Sequence, residues 1–86
     1  MTDLLARAAS LVGISSLSYQ EEDLANLVEA IVGAQAHLEV TRIGDNVIAR
    51  TSLGRQQRVI VAGHLDTVSS AAGLGRTEGD RLYGRG

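Results

Sequence analysis

Apolar residues near the start of the chain recur at helical spacing. Leucine, alanine and valine side chains fall three or four positions apart across residues 3–12, so they share one face of a helix. Thr2 or Asp3 can cap the first turn, because a short polar side chain there accepts hydrogen bonds from free backbone amides. Gly13 follows the last apolar position and is expected to end the helix. The pattern predicts an amphipathic helix with one buried stripe.

A second apolar stripe covers residues 24–32 and predicts a second helix. Ser18 and Glu21 form the Ser-x-x-Glu pattern of a capping box ahead of it, so we expect the Ser18 hydroxyl to cap that helix. The acidic residues 21–23 resemble a catalytic carboxylate cluster, but the helix dipole also favours anions in a first turn. The capping pattern favours this structural interpretation of the three carboxylates.

Shorter segments downstream have the patterns of strands. Residues 38–43 and 47–51 alternate apolar and polar positions around a Gly-Asp-Asn turn, which predicts two strands. Residues 58–62 are apolar on both faces, as in a central strand covered by helices. A Gly-rich segment at 69–76 predicts a loop, and residues 81–83 predict a short final strand. Two helices followed by these strands predict an α/β fold, a sandwich with a mixed sheet.

Length and composition restrict the classes of protein to consider. Eighty-six residues allow one small domain, and such a chain buries only about 60–65% of the surface that it exposes on unfolding. The absence of cysteine excludes disulfides and thiolate metal sites, and the two aromatic residues leave a thin aliphatic core. A net charge of −2 gives no reason to expect nucleic acid as a partner. We expect no membrane span and, without a signal-peptide pattern, a cytoplasmic protein.

The strongest chemical signal lies where the apolar run stops. Residues 59–68 read Val-Ile-Val-Ala-Gly-His-Leu-Asp-Thr-Val, so His64 and Asp66 follow the run two positions apart. Side chains at i and i+2 of an extended segment share a side, and a carboxylate beside an imidazole can fix the tautomer of a metal ligand. The pair predicts half of a metal site, with polar strand-end residues facing water as the alternative. The other histidine, His37, is expected to interact with a helix C-terminus.

Four segments, taken in order, resemble one enzyme family. They are a Ser- and Glu-containing segment, an Arg-Ile-Gly-Asp-Asn-Val-Ile-Ala-Arg segment, a Gly-His-x-Asp-Thr-Val core and a Gly-Asp-Arg-Leu-Tyr-Gly-Arg-Gly segment, at residues 11–22, 42–50, 59–68 and 79–86. Together they cover essentially the whole chain, and they resemble the amino-terminal part of the co-catalytic zinc aminoacylase/carboxypeptidase family. The chain departs from the family pattern at Ser15 and Ser69, where relatives carry proline.

The resemblance implies both a fold and a site. It implies that residues 1–86 form the N-terminal part of an α/β/α sandwich catalytic domain, truncated before the metal ligand that bridges two zinc ions. His64 matches a ligand of one zinc, and Asp66 matches the catalytic acidic residue that hydrogen-bonds this histidine. Residues 84–86 match the loop that leads to the bridging aspartate. The general-base glutamate, the other ligands and the dimerisation domain lie downstream in relatives.

The resemblance also implies an activity for a parent protein, namely zinc-dependent hydrolysis of an N-acyl amino acid, with cobalt as a substitute metal. The expected substrate is N-succinyl-diaminopimelate, which yields diaminopimelate and succinate in lysine biosynthesis. The alternatives among enzymes are a related acetylornithine deacetylase or a dipeptidase. Outside enzymes, the alternative is a non-catalytic fragment or a small interaction module. The isolated chain is expected to be inactive, and the parent to be a homodimer that binds neither nucleic acid nor membrane.

Overall fold

A computed structural model describes residues 3–69 and 75–85 of the chain. Two helices precede two pairs of strands: α1 (Leu4–Val12), α2 (Glu22–Gly33), β1 (Glu39–Ile43), β2 (Asn46–Arg50), β3 (Arg76–Glu78) and β4 (Arg81–Tyr83). Residues 70–74 of the predicted loop lie outside the described residues, and its last residue, Arg76, belongs to β3. The elements confirm a mixture of helices and strands, whereas the α/β/α sandwich stays a prediction.

Both predicted helices form, but only the first has the predicted cap. The Asp3 side chain accepts a hydrogen bond from the Ala6 amide at 3.2 Å, and Gly13 occupies the C-cap of α1, as predicted. At α2 the N-cap is Glu21, which makes no side-chain capping hydrogen bond, so the predicted capping box is wrong. The helix begins at Glu22, so Ser18 lies three residues ahead of the N-cap, and its hydroxyl donates to a carboxylate on a distant segment.

Strands β1 and β2 form an antiparallel hairpin that packs against α2. Gly44 turns the chain between them with a φ of +57°, a conformation that glycine adopts readily because it has no Cβ atom. The Arg42 guanidinium joins the hairpin to the helix. It donates to Glu29 and Asn26 of α2, each at 3.0 Å, and to Asp45 of the turn at 3.2 Å. These polar contacts fix the position of the hairpin on α2.

Strands β3 and β4 form a second antiparallel hairpin, which packs against α1 through β4. Residues 76–78 are polar throughout, so no apolar alternation identifies β3 in the sequence. The strand forms because its partner is close. Arg76 lies opposite Tyr83, and the guanidinium carbon is 4.7 Å from the ring centroid, within cation–π distance. The predicted loop therefore ends earlier than the sequence pattern indicates.

The predicted central strand at 58–62 does not form. Residues 51–66 contain no helix or strand, and Val59, Ile60 and Val61 are 88%, 82% and 95% exposed. A strand needs hydrogen-bonding neighbours, and within residues 3–69 and 75–85 neither hairpin extends to this run. The run has the composition of a buried strand, but the described part of the chain contains nothing that covers it.

The hydrophobic core is small. Within the described residues, Leu24 and Ala25 of α2 are the buried apolar residues, and Ser16 is the buried polar residue. The radius of gyration is 14.8 Å, against about 12 Å for a compact chain of this length. Burial on this scale gives marginal stability. Neither of the two helices described combines the length and the apolarity that crossing a membrane requires.

Candidate functional site

The His64 and Asp66 side chains lie on an extended segment that is held against the loop before α2. Leu17 and Thr67 form an isolated parallel bridge, and the Thr67 amide donates to the Ser16 carbonyl at 2.8 Å. The loop thereby fixes the backbone one residue beyond Asp66. This backbone contact, rather than a strand of a larger sheet, positions the pair.

The His64 ring contacts Asp66 twice through one nitrogen. Nδ1 lies 2.9 Å from Asp66 Oδ1 and 2.9 Å from the Asp66 carbonyl oxygen. An ionised carboxylate and a carbonyl only accept hydrogen bonds, so Nδ1 carries the proton in this arrangement. In the neutral imidazole the free lone pair then belongs to Nε2, and the side chain is 79% exposed. The histidine is therefore set in the tautomer that can coordinate a metal through Nε2.

Asp66 is held at both carboxylate oxygens. Oδ1 accepts from His64, and Oδ2 accepts from the Ser18 hydroxyl at 2.6 Å, in the range of charge-assisted O–H···O hydrogen bonds. The Ser18 hydrogen bond, followed by the His64 hydrogen bond, lowers the pKa of Asp66 below its ordinary value of 3.8. Asp66 therefore stays ionised, and remains an acceptor for the imidazole, throughout the neutral pH range.

An open cleft of about 300 Å³ adjoins the pair. Apolar side chains of α1 and α2 line it, and Arg85 adds a cationic side chain. The hydroxyl oxygens of Ser16 and Thr67 are buried at its wall, without a hydrogen-bond partner among the described residues. Apolar walls with a few polar atoms are typical of sites that bind small molecules.

The described residues bring together too few ligands for a complete metal site. Across 3–69 and 75–85 there is no cluster of three or more His, Cys, Asp or Glu side chains that could hold a metal ion. A catalytic zinc site uses three protein ligands and keeps one position open. The donor set present fits one ligand, His64, with Asp66 hydrogen-bonded behind it.

The structure places the two sequence-predicted site residues in direct contact, as their spacing indicates. Their roles as zinc ligand and catalytic carboxylate stay predictions. Ser18 is the site residue that the patterns missed, because the Ser-x-x-Glu spacing assigned its hydroxyl to a helix cap. One signal was present: three serines occupy residues 15–18, more than a single cap requires. His37 is exposed and lies beyond the end of α2, and its placement gives no support to a ligand role.

Sequence comparison identifies curated relatives that match nearly the whole chain. Two proteins named "Putative succinyl-diaminopimelate desuccinylase DapE", from the CDC 1551 and H37Rv strains of Mycobacterium tuberculosis, are 46% identical to it over 86 residues. The succinyl-diaminopimelate desuccinylase of Corynebacterium glutamicum is 39% identical over 87 residues. Each match includes 98% of this chain and 24% of the relative.

No family model matches the chain, and no solved structure matches it. The chain spans about a quarter of the length of the curated relatives that it matches. A match of 98% of the chain includes both helices and the segment that carries His64 and Asp66. The chain is therefore a homologue of part of the succinyl-diaminopimelate desuccinylases, as its motifs predict.

Proposed function

We propose that this chain contributes one zinc ligand and its orienting carboxylate to a dinuclear zinc amidohydrolase. The parent protein would hydrolyse N-succinyl-diaminopimelate to diaminopimelate and succinate in the cytoplasm, as a homodimer. One observation supports the proposal most directly: the His64–Asp66 contact leaves Nε2 free to coordinate, in a homologue of desuccinylases. The proposal includes an α/β/α sandwich, in which further strands would cover the exposed run at 59–61.

The residues of this chain have separate tasks in that reaction. His64 Nε2 holds one metal ion, while Asp66 accepts the hydrogen bond from Nδ1 and so keeps the imidazole oriented and basic. Zinc, when bound, polarises the scissile carbonyl and makes a water molecule more acidic. The cleft beside the pair accepts part of the substrate, and Arg85 presents a positive charge to it. The remaining ligands and the general base come from outside these residues.

A chimera tests the proposal in an intact enzyme. This chain replaces the matching quarter of the Mycobacterium tuberculosis relative, and hydrolysis of N-succinyl-diaminopimelate is measured together with zinc content. We expect an active chimera. His64→Ala should remove most of the activity and part of the metal. Asp66→Ala should lower activity about 10–100-fold, as loss of the partner of a metal ligand does. The matched control is His37→Ala, which changes an exposed histidine outside the site and should keep full activity.

The possible results separate the parts of the proposal. Normal turnover and zinc content in the His64→Ala chimera would contradict the ligand role. A metal-loaded chimera that prefers N-acetylornithine or a dipeptide would keep the metal chemistry and replace the substrate with that of a related deacetylase or dipeptidase. Circular dichroism shows whether each variant is folded, so that lost activity is not confused with lost structure.

A non-catalytic module is the second candidate, and the incomplete ligand set within residues 3–69 and 75–85 favours it for the isolated chain. Calorimetric titration of the 86-residue chain with zinc tests it. We expect weak binding or none, because the site segment supplies one imidazole, that of His64, where a zinc site needs three or four ligands. Stoichiometric, tight binding of two zinc ions by the isolated chain would contradict this expectation.

A further inference from the structure

A hydroxyl from the loop before α2 is bonded to the carboxylate behind His64. Ser18 Oγ donates to Asp66 Oδ2 at 2.6 Å, across 48 positions of sequence. The capping pattern assigned this hydroxyl to α2, yet in the structure the N-cap of α2 is Glu21, whose side chain makes no capping hydrogen bond. The Ser18 side chain therefore serves the site segment and not the helix.

The turn that carries Ser18 holds an unfavourable backbone conformation. The Gln20 amide donates to the Leu17 carbonyl at 2.7 Å and closes a turn in which Tyr19 has a φ of +68°. A residue with a Cβ atom adopts this region only at an energetic cost. The Tyr19 residue is 97% exposed, so packing of its ring does not compensate. The backbone contacts of Ser16 and Leu17 with Thr67 hold the turn in place.

The Ser18 contact restricts the rotation of Asp66. The χ2 angle of aspartate has a broad, roughly twofold profile, so a carboxylate bonded through one oxygen can turn away from its partner. The Asp66 side chain is 40% exposed, which leaves space for that rotation. Hydrogen bonds at both oxygens, from Ser18 and His64, leave one orientation.

We propose that Ser18 is a positioning residue, which acts through Asp66 to hold His64 in the Nδ1–H tautomer with Nε2 free for a metal ion. The inference rests on the proposed function, since the tautomer matters to activity only if Nε2 binds a metal. A purely structural role for Ser18 can be separated from this one. The backbone bond from Thr67 to Ser16 joins the same two segments without using a side chain. Exchange of the Thr67 amide therefore reports docking of the loop, and the His64 tautomer reports positioning.

The test is ¹⁵N NMR of the metal-free 86-residue chain in mildly alkaline solution, at about pH 8. The ring nitrogen shifts give the fraction of the Nδ1–H tautomer. We expect this tautomer to dominate in the unmodified chain. In Ser18→Ala its fraction should fall, because the Asp66 carbonyl oxygen is then the one fixed acceptor left for Nδ1, while protection of the Thr67 amide is unchanged. Ser18→Thr keeps a hydroxyl and should restore the tautomer. The matched control is Ser15→Ala, because Ser15 is exposed in the same loop and outside the contact.

Two results overturn the positioning role. One is an unchanged tautomer in Ser18→Ala. The other is a parallel loss of the tautomer preference and of Thr67 protection, because the hydroxyl would then serve only to dock the loop. Both readouts are made without zinc, so they are independent of the ligand assignment. A failure of the proposed function would be seen in the chimera experiment instead, as normal zinc content in the His64→Ala chimera.

Discussion

Gly84 lies so close to α1 that the structure leaves little room for a side chain there. A Cβ atom there would lie 2.6 Å from Cγ1 of Val12, about 1 Å inside the roughly 3.5–4.0 Å optimum for two carbon atoms. Gly84 does not have a positive φ, so its replacement tests packing alone. We predict that Gly84→Ala displaces the β3–β4 hairpin from α1, and with it Arg85 at the wall of the cleft.

The stability lost in Gly84→Ala depends on how far the Val12 side chain can move away from the added methyl group. Valine in a helix has one strongly preferred χ1 rotamer, and turning its χ1 about 30° away from that minimum costs about 0.5–1.5 kcal/mol. Overpacking of a fitted site costs about 1–3 kcal/mol, and since Val12 is only half-buried we expect about 1–2 kcal/mol. Gly63→Ala is the matched control. Its Cβ atom would meet nothing within 4 Å, so we expect unchanged stability or a gain of up to about 1 kcal/mol.

Amide hydrogen exchange in β3 and β4 measures the effect. A loss of about 1–2 kcal/mol in the free energy of local opening raises exchange rates roughly 5- to 30-fold. Val12→Ala should restore protection in the Gly84→Ala background, because the double-mutant cycle isolates this contact. Unchanged exchange in Gly84→Ala, or a loss of protection that Val12→Ala does not reverse, would refute the argument that the hairpin rests on Val12.

Three further predictions concern stability, association and pH. Arg42→Ala should lower the free energy of unfolding, measured in urea, by about 1–2 kcal/mol, because it removes two partly exposed ion pairs. The control, Arg50→Ala, breaks one exposed ion pair and should lower the free energy of unfolding by less than about 0.5 kcal/mol. The exposed apolar run should cause the chain to self-associate, so Ile60→Lys should reduce association measured by sedimentation velocity. Leu53→Lys, which lies outside the run, should not reduce it. An unmodified chain that sediments as a single monomeric species would contradict this prediction. Because folding lowers the pKa of Asp66, its contribution to stability is complete above the ordinary value of 3.8 and is lost as the pH falls through the lower folded value. Asp66→Asn should therefore flatten the acid limb of the urea midpoint plotted against pH, and an identical acid limb would contradict the assignment.

The helices and strands that depend on interactions between residues close in sequence are the ones that the sequence predicts. Helical periodicity, the Asp3 cap and the Gly13 end identify α1, and a Gly-Asp-Asn turn identifies the first hairpin. Strand β3 and the run at 58–62 depend on partners elsewhere, so residue type alone misassigns both. The polar β3 pairs because β4 is adjacent, and the apolar run stays unpaired because no described strand lies beside it.

The same distinction applies to the site. His64 and Asp66 are two residues apart, so the geometry of an extended chain suffices to predict their contact. Ser18 reaches Asp66 across 48 positions, and its local sequence offers it a helix cap instead. A capping box would use the Ser18 oxygen as an acceptor for a backbone amide, and only the folded arrangement shows that the hydroxyl donates to an ionised carboxylate.

The exposed run at 59–61 and the single metal ligand have one explanation under the proposed function. Both lie on the same segment, with His64 three residues beyond the run. In α/β proteins, functional groups gather at the carboxyl ends of neighbouring strands. Strands placed beside 59–61 would therefore bury its apolar side chains and also bring further donors close to His64. Because a metal held by such donors binds only the folded arrangement, burial of the run and zinc affinity should be gained together.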